Sequence, residues 1–314
     1  MRNLVDRTGN YSVAVVTRRV PRALAGLRLD QALARMFPEH SRSRLQIWLR
    51  EGYIRLEFRA AKPKEKIWGG EHIEIRPQSG PADAAFRAEP IALEIVYEDE
   101  AVLVINKPAG LVVHPGSGNW KGTLLNALLY HSPQLAAIPR AGIVHRLDKD
   151  TSGLLVVAKT LQAQTDLVRQ LQAHTVKREY LAVVHGVVKD HGNVAAPVGR
   201  DPRSRTRMAV VSGGKPAFTR YRVIKRSKGA TVLECSLATG RTHQIRVHMQ
   251  SLGHPLLGDP VYRDKRLRGS PIAGIRRQAL HAARLEFKHP VSGVQRSFEA
   301  SPPDDLQVLL DSLE

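Results

Sequence analysis

The chain has 314 residues, 42% of them hydrophobic, which is enough to bury two separate cores. Its 48 lysines and arginines outnumber its 29 aspartates and glutamates, so the formal net charge is +19. That excess indicates a polyanionic partner and favours nucleic acid over an anionic membrane.

Several classes of protein are disfavoured by the same sequence. No apolar run approaches the roughly 18 residues of a membrane-spanning helix, and the charged residues Arg2, Asp6 and Arg7 are unlike a signal peptide. Cys235 is the single cysteine, which argues against a disulfide framework and a thiolate zinc site. We therefore expect a cytoplasmic protein that faces nucleic acid and lacks metal ligands.

An amphipathic helix is predicted over residues 27–37, after a short strand within residues 11–20. Apolar side chains recur there at i, i+3, i+4, i+7 and i+8, which places them on one helical face. They are Leu29, Ala32, Leu33, Met36 and Phe37. Pro38 is expected to end this helix, because proline cannot continue the hydrogen-bond ladder.

A second helix is predicted to begin after Ser41, which is a favourable N-cap, and to end at Gly52. Its first turn carries Arg42 and Arg44, although positive charges there oppose the helix dipole. A phosphate bound at the helix N-terminus would offset that cost. An ordinary solvated face explains any single arginine equally well.

Two short strands are predicted at residues 53–56 and 71–75, with a basic segment, residues 59–66, between them. The sequence Asn-Gly, which favours a tight hairpin, is absent after Leu56, so the loop geometry there is left open. Residues 77–83 are rich in proline, glycine and serine and indicate a linker. The expected domains are residues 14–76 and 88–314, joined by residues 77–87.

The second domain is predicted to be α+β, with flanking helices on a mostly antiparallel sheet. Its helices are predicted at residues 123–130 and 161–174. Its strands are predicted at residues 93–97, 101–105, 177–184, 231–237, 244–249 and 280–287. Residues 187–230 are expected to form shorter strands separated by a basic loop, residues 200–207.

A charged loop, residues 145–153, lies between apolar residues 142–144 and 154–158, which predict buried strands. Asp148 and Asp150 would therefore project from the middle of a sheet, and loops held by rigid strands often carry function. The alternative is a structural connection in which Asp150 and its neighbours bond the local backbone.

A partner for Asp148 is expected on the predicted strand 244–249. Strand alternation would put Gln244, Arg246 and His248 on one face. If that face meets the loop, Arg246 would favour the charged form of Asp148 and keep it available as a nucleophile. A structural ion pair is the alternative. Tyr180 could be ordinary strand packing or could stack on an extruded base.

These stretches, in this order, resemble the RluA-type pseudouridine synthases. The matching segments are Asn106–Pro108, His145–Gly153, Arg178–Tyr180, Gly240–Arg246 and Gln278–Ala282. Residues 14–76 resemble the S4 RNA-binding domain. The resemblance implies a small S4 domain followed by a pseudouridine synthase catalytic domain, and it spans nearly the whole chain.

The family resemblance implies an enzyme that isomerises uridine to pseudouridine in RNA without a cofactor. The flanking residues look closest to the branch acting on large-subunit (23S) rRNA, either free or in an assembling subunit, and several positions of one stem-loop are expected as targets. No membrane and no obligate protein partner are expected, and the protein is predicted to be a monomer.

The family resemblance also implies roles for individual residues. Asp148 corresponds to the catalytic aspartate, Tyr180 to the tyrosine that stacks on the base, and Arg246 to the arginine paired with the aspartate. The residues expected to contact RNA are Arg146, Arg28, Arg42, Arg44, Lys107, Arg241 and His243. Whether Asp148 attacks the sugar or removes a sugar proton is left open by the sequence.

Two other function classes remain as alternatives from sequence. A non-catalytic RNA-binding protein would explain the charge of +19 but not a buried Asp-Arg pair beside a tyrosine. A glycosidase would use Asp148 and Asp150 as its two carboxylates, whose Cβ atoms would be about 6–7 Å apart in an extended loop. Such an enzyme has no need of so basic a surface.

Overall fold

The computed structural model describes residues 15–38, 40, 42–77, 86–116, 118–227, 229–263 and 275–313. The chain divides into two compact units, residues 1–83 and 84–314. The division falls within the residues for which the sequence predicts a linker. Identification of the first unit as an S4 domain stays a prediction.

The first unit contains two helices and a four-stranded antiparallel sheet of order β1-β4-β2-β3. Its elements are β1 (Val16–Arg19), α1 (Leu29–Met36), α2 (Arg42–Arg50), β2 (Ile54–Leu56), β3 (Arg59–Ala60) and β4 (His72–Ile75). Both predicted helices are confirmed. Their apolar faces pack on the sheet, where Leu33, Leu45 and Ile73 have no exposed surface.

The hairpin between β2 and β3 has a tight two-residue turn although the sequence lacks Asn-Gly. Glu57 and Phe58 both adopt positive φ, 48° and 62°, as the turn requires. These are unfavourable conformations for residues with a Cβ atom. The Phe58 ring stacks on His72 of β4 at 4.7 Å, a tertiary contact that helps to hold the turn.

The second unit is built on a nine-stranded sheet of order β5-β6-β7-β14-β8-β13-β12-β9, with β15 beside β14. The nine strands of this sheet are β5 (Ile95–Glu98), β6 (Val102–Lys107), β7 (Ser152–Ala158), β8 (Lys177–His185), β9 (His191–Ala195), β12 (Phe218–Ser227), β13 (Ala230–Leu237), β14 (Leu280–Lys288) and β15 (Gln295–Glu299). The unit also contains β10 (Val198–Asp201) and β11 (Ser204–Val210), which lie outside this sheet. Only the β7–β14 pairing within this sheet is parallel. The predicted α+β architecture is confirmed.

Both faces of this sheet are buried at β6 and β7, which explains why these two strands are largely apolar rather than alternating. In β6, Leu103 and Ile105 join the core on one face, while Val102 and Val104 join the core on the other. The helices that cover the sheet and its margins are α3 (Leu124–His131), α4 (Leu161–Gln172), α5 (Gln244–Ser251) and α6 (Asp304–Asp311). Across the residues described, no helix is both long and apolar enough to cross a membrane.

Three predicted elements differ in the structure: residues 142–144, the basic loop 200–207 and residues 244–249. Residues 142–144 do not form a strand, since a 3₁₀ turn (Pro139–Gly142) leads into the loop and only Ile143 forms a bridge, to Val157. Gly142 has φ +77°, and a Cβ atom there would lie 1.9 Å from the Ala158 carbonyl oxygen. The close approach of this turn to β7 therefore requires glycine.

The predicted basic loop, residues 200–207, is instead a hairpin formed by β10 and β11, which pair as a separate two-stranded sheet. The turn consists of Pro202 and Arg203. Charged side chains on an exposed two-stranded ribbon do not alternate with apolar ones, so the pattern that predicts strands is missing from the sequence.

Candidate active site

A cleft of about 920 Å³ opens in the second unit. Among the described residues that line it, Asp148 is the only acidic one, whereas five are arginines. The arginines are Arg140, Arg146, Arg178, Arg241 and Arg246. A cleft of this composition attracts a polyanion, and its described lining contains a single carboxylate.

The backbone of the Asp148 loop is anchored on several sides. The Lys149 carbonyl accepts hydrogen bonds from Lys107 Nζ and from the Gly110 backbone N–H, both at 2.9 Å. The Asp150 carbonyl accepts from the Arg277 guanidinium at 3.1 Å. The loop is thus rigid, and it holds the Asp148 side chain with 15% of its surface exposed.

The expectation that Lys107 contacts RNA is wrong, because its side chain has no exposed surface. Its ammonium group donates to the carbonyls of Pro108, Leu111 and Lys149 at 2.6, 2.9 and 2.9 Å. Burial lowers the pKa of Lys107 to about 7, against the opposing attraction of Asp150 and Asp148. Lys107 therefore fastens the loop to the end of β6.

Arg246 lies between two carboxylates. It donates from Nε and NH2 to Asp259 at 2.7 and 2.9 Å, and from NH1 to Asp148 Oδ2 at 3.0 Å. Asp259, which is 2% exposed, also accepts from the backbone N–H groups of Val261 and Tyr262. The fork to Asp259 fixes the plane of the guanidinium and points its remaining edge at Asp148.

Both members of the buried pair are charged at neutral pH. Burial alone would lower the pKa of Arg246, but the bonds to Asp259 and Asp148 outweigh it and raise that pKa. Burial alone would raise the pKa of Asp259, but Arg246 and the two backbone N–H groups lower it below its ordinary value. Asp259 was missed from sequence because its surroundings, Gly253–Asp259, are typical of a turn.

The predicted strand 244–249 is helix α5, so Gln244, Arg246 and His248 do not share a face as the strand pattern implied. Gln244 and His248 both bond the Thr219 hydroxyl of β12, while Arg246 points away towards Asp148. All six residues 244–249 are buried. The sequence of this helix therefore lacks the 3.6-residue alternation of apolar and polar residues that predicts a helix with one exposed face. The expected Asp148–Arg246 pair nevertheless forms.

Tyr180 lies on β8 and lines the same cleft as Asp148, with 6% of its surface exposed. Burial raises the pKa of its phenol; the Arg178 guanidinium lowers that pKa and the Asp148 carboxylate raises it, both by smaller amounts. The hydroxyl is therefore protonated at neutral pH, and the ring offers an aromatic surface beside the carboxylate.

His243 approaches Asp148 from the start of α5, with 3.9 Å between its Nε2 and Asp148 Oδ2. Its Nδ1 lies 2.8 Å from the Tyr262 hydroxyl, which accepts from the Met208 backbone N–H. Burial lowers the pKa of His243, so the ring is neutral at pH 7. His243 adopts φ 56°, a strained backbone conformation that is frequent at functional sites.

The other residues expected to contact RNA fall in different places. Arg146 and Arg241 line the cleft. Arg28 and Arg42 belong to the first unit, where both donate to the buried carboxylate of Asp30 while keeping 39% and 49% of their side chains exposed. The side chain of Arg44 lies outside the described residues. Their contacts with RNA stay predictions.

The glycosidase alternative is not supported by this geometry. Among the cleft-lining residues that the structure describes, Asp150 is absent, and its carbonyl is held by Arg277 at the back of the loop. Asp148 therefore faces the cleft without the second carboxylate that glycoside hydrolysis requires.

Comparisons with known proteins agree with the arrangement of this site. The family model described as RNA pseudouridylate synthase matches residues 101–251, which include Asp148, Tyr180 and Arg246. The chain is 56% identical over 301 residues to the ribosomal large subunit pseudouridine synthase D of Nitrosomonas europaea, covering 94% of this chain and 86% of the relative. The chain belongs to the RNA pseudouridylate synthase family.

Further relatives and a solved structure are also similar to this synthase over most of their length. The proteins named ribosomal large subunit pseudouridine synthase D in Pseudomonas aeruginosa and Escherichia coli are 51% and 50% identical, covering 94% and 91% of this chain and 94% and 90% of their own. The structure of human RNA pseudouridylate synthase domain containing 4 matches with a TM-score of 0.57 and 26% identity, over 70% of this chain and 92% of its own. The synthase fold is therefore shared with solved structures.

Replacing Lys107 with methionine should destabilise the synthase by about 2–4 kcal/mol, because three buried carbonyls lose their donor. The loss of stability caused by Lys107→Met should depend on pH. With a folded-state pKa of about 7, below the ordinary lysine value, native Lys107 binds fewer protons than unfolded Lys107 between about pH 7 and pH 10. The free energy of unfolding of wild type should therefore rise relative to Lys107→Met through that window, as urea titrations would measure. If the difference in unfolding free energy between wild type and Lys107→Met stayed constant with pH, the lowered pKa of buried Lys107 would be contradicted.

Replacing Asp259 with asparagine should destabilise the synthase by about 3–5 kcal/mol, because it leaves a buried guanidinium without its main counter-charge. Single-turnover pseudouridine formation should also fall at least tenfold, since Arg246 is then free to turn away from Asp148. Glu234→Gln is the control, because its pair with Arg222 is exposed and should contribute less than about 1 kcal/mol. Equal effects of the two substitutions would show that Asp259 does not orient Arg246.

Proposed function

We propose that this synthase isomerises uridines in large-subunit rRNA, most readily at several positions of one 23S stem-loop. The observation that carries the proposal is the single carboxylate, Asp148, held by Arg246 beside Tyr180 in a cleft whose described lining also includes five arginines. The names of the bacterial relatives support large-subunit rRNA as the substrate. The enzyme is proposed to act in the cytoplasm as a monomer, without an obligate protein partner.

The proposed reaction begins when the target nucleotide leaves its stack, at a cost of a few kcal/mol, and enters the cleft. The base stacks on Tyr180, and Arg146 helps to hold the extruded nucleotide. The bond between N1 and C1′ breaks, the base turns, and a bond forms between C5 and C1′. C5 then loses its proton and N1 takes one up, so atoms and charge balance. The net change neither oxidises nor hydrolyses the substrate, so the proposed mechanism uses no cofactor.

Asp148 is proposed to act on the ribose, either as the nucleophile at C1′ or as the base that removes a sugar proton. Both modes need an ionised carboxylate with one oxygen free to reach the substrate. Arg246 donates to Oδ2, and Oδ1 accepts no hydrogen bond from the described residues. That geometry supports Asp148 in either mode, with Arg246 as the residue that positions it and balances its charge.

The first unit is proposed to act as an S4 domain, residues 14–76, that binds and places the rRNA. Arg28 and Arg42 support this role, because Asp30 holds both guanidinium groups in fixed positions while their outer surfaces stay exposed. The proposal also includes Arg44 of α2, and Arg241 and His243 at the cleft, as contacts to the RNA. Phosphate contacts of this kind provide affinity rather than chemistry.

Asp148→Asn should abolish pseudouridine formation in single turnover while changing rRNA affinity by only a few-fold. Asparagine is nearly isosteric, but it can neither attack C1′ nor act as a base at neutral pH. The measurement is tritium release from rRNA labelled at C5 of uridine, together with filter binding. Near-normal release would remove Asp148 from the mechanism.

Asp150→Asn is the matched control for Asp148→Asn, because the same change is made two residues along the loop and away from the cleft. It should retain substantial activity. Equal loss of activity in the two variants would favour a mechanism that uses two carboxylates.

Arg42→Gln should weaken rRNA binding. It should also reduce the magnitude of the slope of log affinity against log salt concentration by about 0.7–0.9, the contribution of one phosphate contact. The rate at saturating enzyme should be unchanged, since Arg42 lies in the unit that carries no cleft residue. Arg222→Gln, an exposed arginine of β12 paired with Glu234, is the control and should leave the slope unchanged. An unchanged slope for Arg42→Gln would remove it from the RNA contacts.

A further inference from the structure

His243 has one ring nitrogen, Nε2, that is available to a substrate in the cleft. The side chain lines the cleft with 20% of its surface exposed, and its Nε2 lies 3.9 Å from Asp148 Oδ2. That distance is too long for a hydrogen bond, and Nε2 makes none with any other of the described residues. The protonation of Nε2 therefore determines whether His243 offers the substrate a donor or an acceptor.

The tautomer of His243 is set by Tyr262, a side chain with no exposed surface. The Tyr262 hydroxyl accepts the Met208 backbone N–H at 2.9 Å and lies 2.8 Å from His243 Nδ1. Burial raises the pKa of Tyr262, so the hydroxyl keeps its hydrogen at neutral pH. Among the described residues, Nδ1 is the acceptor within reach of that hydrogen. Because the His243 ring is neutral, its own proton must then lie on Nε2.

The reverse tautomer is disfavoured by the same contacts. With its proton on Nδ1, His243 would become a second donor to the Tyr262 oxygen, beside the Met208 N–H. The phenolic hydrogen would then be buried without an acceptor among the described residues, which is unfavourable. The Nε2–H group beside Asp148 thus follows from hydrogen bonding within the protein.

Tyr262 is itself held on several sides, so it can fix the orientation of the His243 ring. Its backbone N–H donates to Asp259 at 3.0 Å, and its ring lies 5.0 Å from the Arg246 guanidinium carbon. The two aromatic rings meet edge-on, with 5.5 Å between the His243 and Tyr262 centroids. The Nε2–H donor is therefore oriented before substrate binds, which reduces the entropy lost on binding.

The ribose of the target uridine is the part of the substrate that best suits a rigid donor beside Asp148. In the proposed reaction Asp148 acts on the sugar, so the ribose lies next to a carboxylate oxygen that is 3.9 Å from Nε2. The uracil turns during that reaction and its oxygens change position, whereas the ribose stays in place. Within an RNA chain the 2′-hydroxyl is the free hydroxyl of the ribose, and it is the group that distinguishes RNA from DNA.

We propose that His243 donates its Nε2–H to the 2′-hydroxyl oxygen of the target uridine, and that Tyr262 is the positioning residue that fixes this donor. The proposal rests on the proposed function for the placement of the ribose beside Asp148, whereas the tautomer follows from contacts within the protein. The contact is neutral, so it recognises RNA at the target nucleotide and does not attract phosphate. His243 takes no part in bond making.

Tyr262→Phe tests the positioning residue, because it keeps the aromatic ring and removes only the hydroxyl. Nitrogen-15 NMR of the histidine rings should show wild-type His243 with its proton on Nε2, the signal being identified by its absence from His243→Gln. In Tyr262→Phe both tautomers should appear, and single-turnover tritium release should slow about 3–10-fold, the effect of one neutral hydrogen bond. Tyr97→Phe is the control, because its hydroxyl bonds Asp99 and it is absent from the described lining of the cleft. A wild-type proton on Nδ1 would overturn the proposal.

Two unbranched substitutions at His243 test the donor and remain informative if Tyr262→Phe fails to fold. In His243→Gln the amide nitrogen lies as many bonds from Cα as Nε2 and still donates, whereas His243→Met has no donor. Both replacements must adopt the positive φ of this position, 56° in wild type, so their comparison isolates the donor. His243→Met should release tritium about 3–10-fold more slowly than His243→Gln, and both should keep the wild-type salt slope for rRNA binding. Equal rates, or a reduced salt slope in both variants, would overturn the proposal.

A stem-loop with a single 2′-deoxyuridine at a mapped target position identifies the acceptor. Binding is measured in the Asp148→Asn background, so that no substrate is converted during the titration. Loss of the 2′-hydroxyl should weaken binding about 3–10-fold when His243 is present and less than about twofold with His243→Met. A 2′-deoxy substitution at the neighbouring nucleotide is the control and should weaken binding equally in the two proteins.

The outcomes of this binding experiment separate the proposal from the proposed function. Equal losses with and without His243 at the target position would overturn the 2′-hydroxyl as the acceptor. Dependence on His243 of the response to 2-thiouridine, in place of the response to 2′-deoxyuridine, would overturn it too and assign the donor to uracil O2. Failure of wild type to convert the unmodified stem-loop would overturn the proposed function and leave the NMR result standing.

Discussion

The active site depends on one guanidinium that is shared unequally between two carboxylates. Arg246 gives two hydrogen bonds to Asp259, which is buried and held by two backbone N–H groups, and gives one to Asp148. The pair with Asp259 neutralises most of the charge and fixes the orientation. Asp148 therefore shares a guanidinium that is held mainly by Asp259, and its second carboxylate oxygen accepts no hydrogen bond from the described residues.

The sheet determines where that carboxylate lies. Strand β7 pairs with β14 only through Ser152 and Gly153, and then the two strands separate. Beyond this point the free edge of β7 is occupied by Ile143 and by the His145 ring, which accepts from the Val156 backbone. The chain thus lies in the gap between the two strands at Ile143 and His145, and the segment that carries Asp148 leads from this gap to the start of β7 at Ser152.

Much of this arrangement could be predicted from the sequence, because the relevant signals are local. The apolar run after Gly153 indicates β7, and the charged loop between apolar segments indicates an exposed, anchored site. The pairing of Asp148 with Arg246 was also expected, although α5 was taken for a strand. The error arises because every side chain of residues 244–249 is buried, and a helix buried on all sides has no polar face to reveal its period.

Other features could not be found from sequence because they depend on burial. Lys107 looks like any basic residue in a strongly basic chain, yet three carbonyls enclose its ammonium group. Asp259 lies in a segment with the composition of a turn, and only the folded chain shows that it holds Arg246. A cation acquires its role from the groups around it, and residue type alone does not report them.

The net charge of +19 and the hydrogen bonds at Asp148 act over different distances. Surface arginines such as Arg222 are paired in solvent and contribute to a long-range field that salt screens. Arg246 and Arg178 are buried, so their interactions are screened far less and depend on individual atoms. Arg246 has carboxylate partners within the protein, whereas Arg178 has none among the described residues. The arginines that contribute to the long-range field and those that act on individual atoms of the cleft are therefore different residues, distinguished by burial.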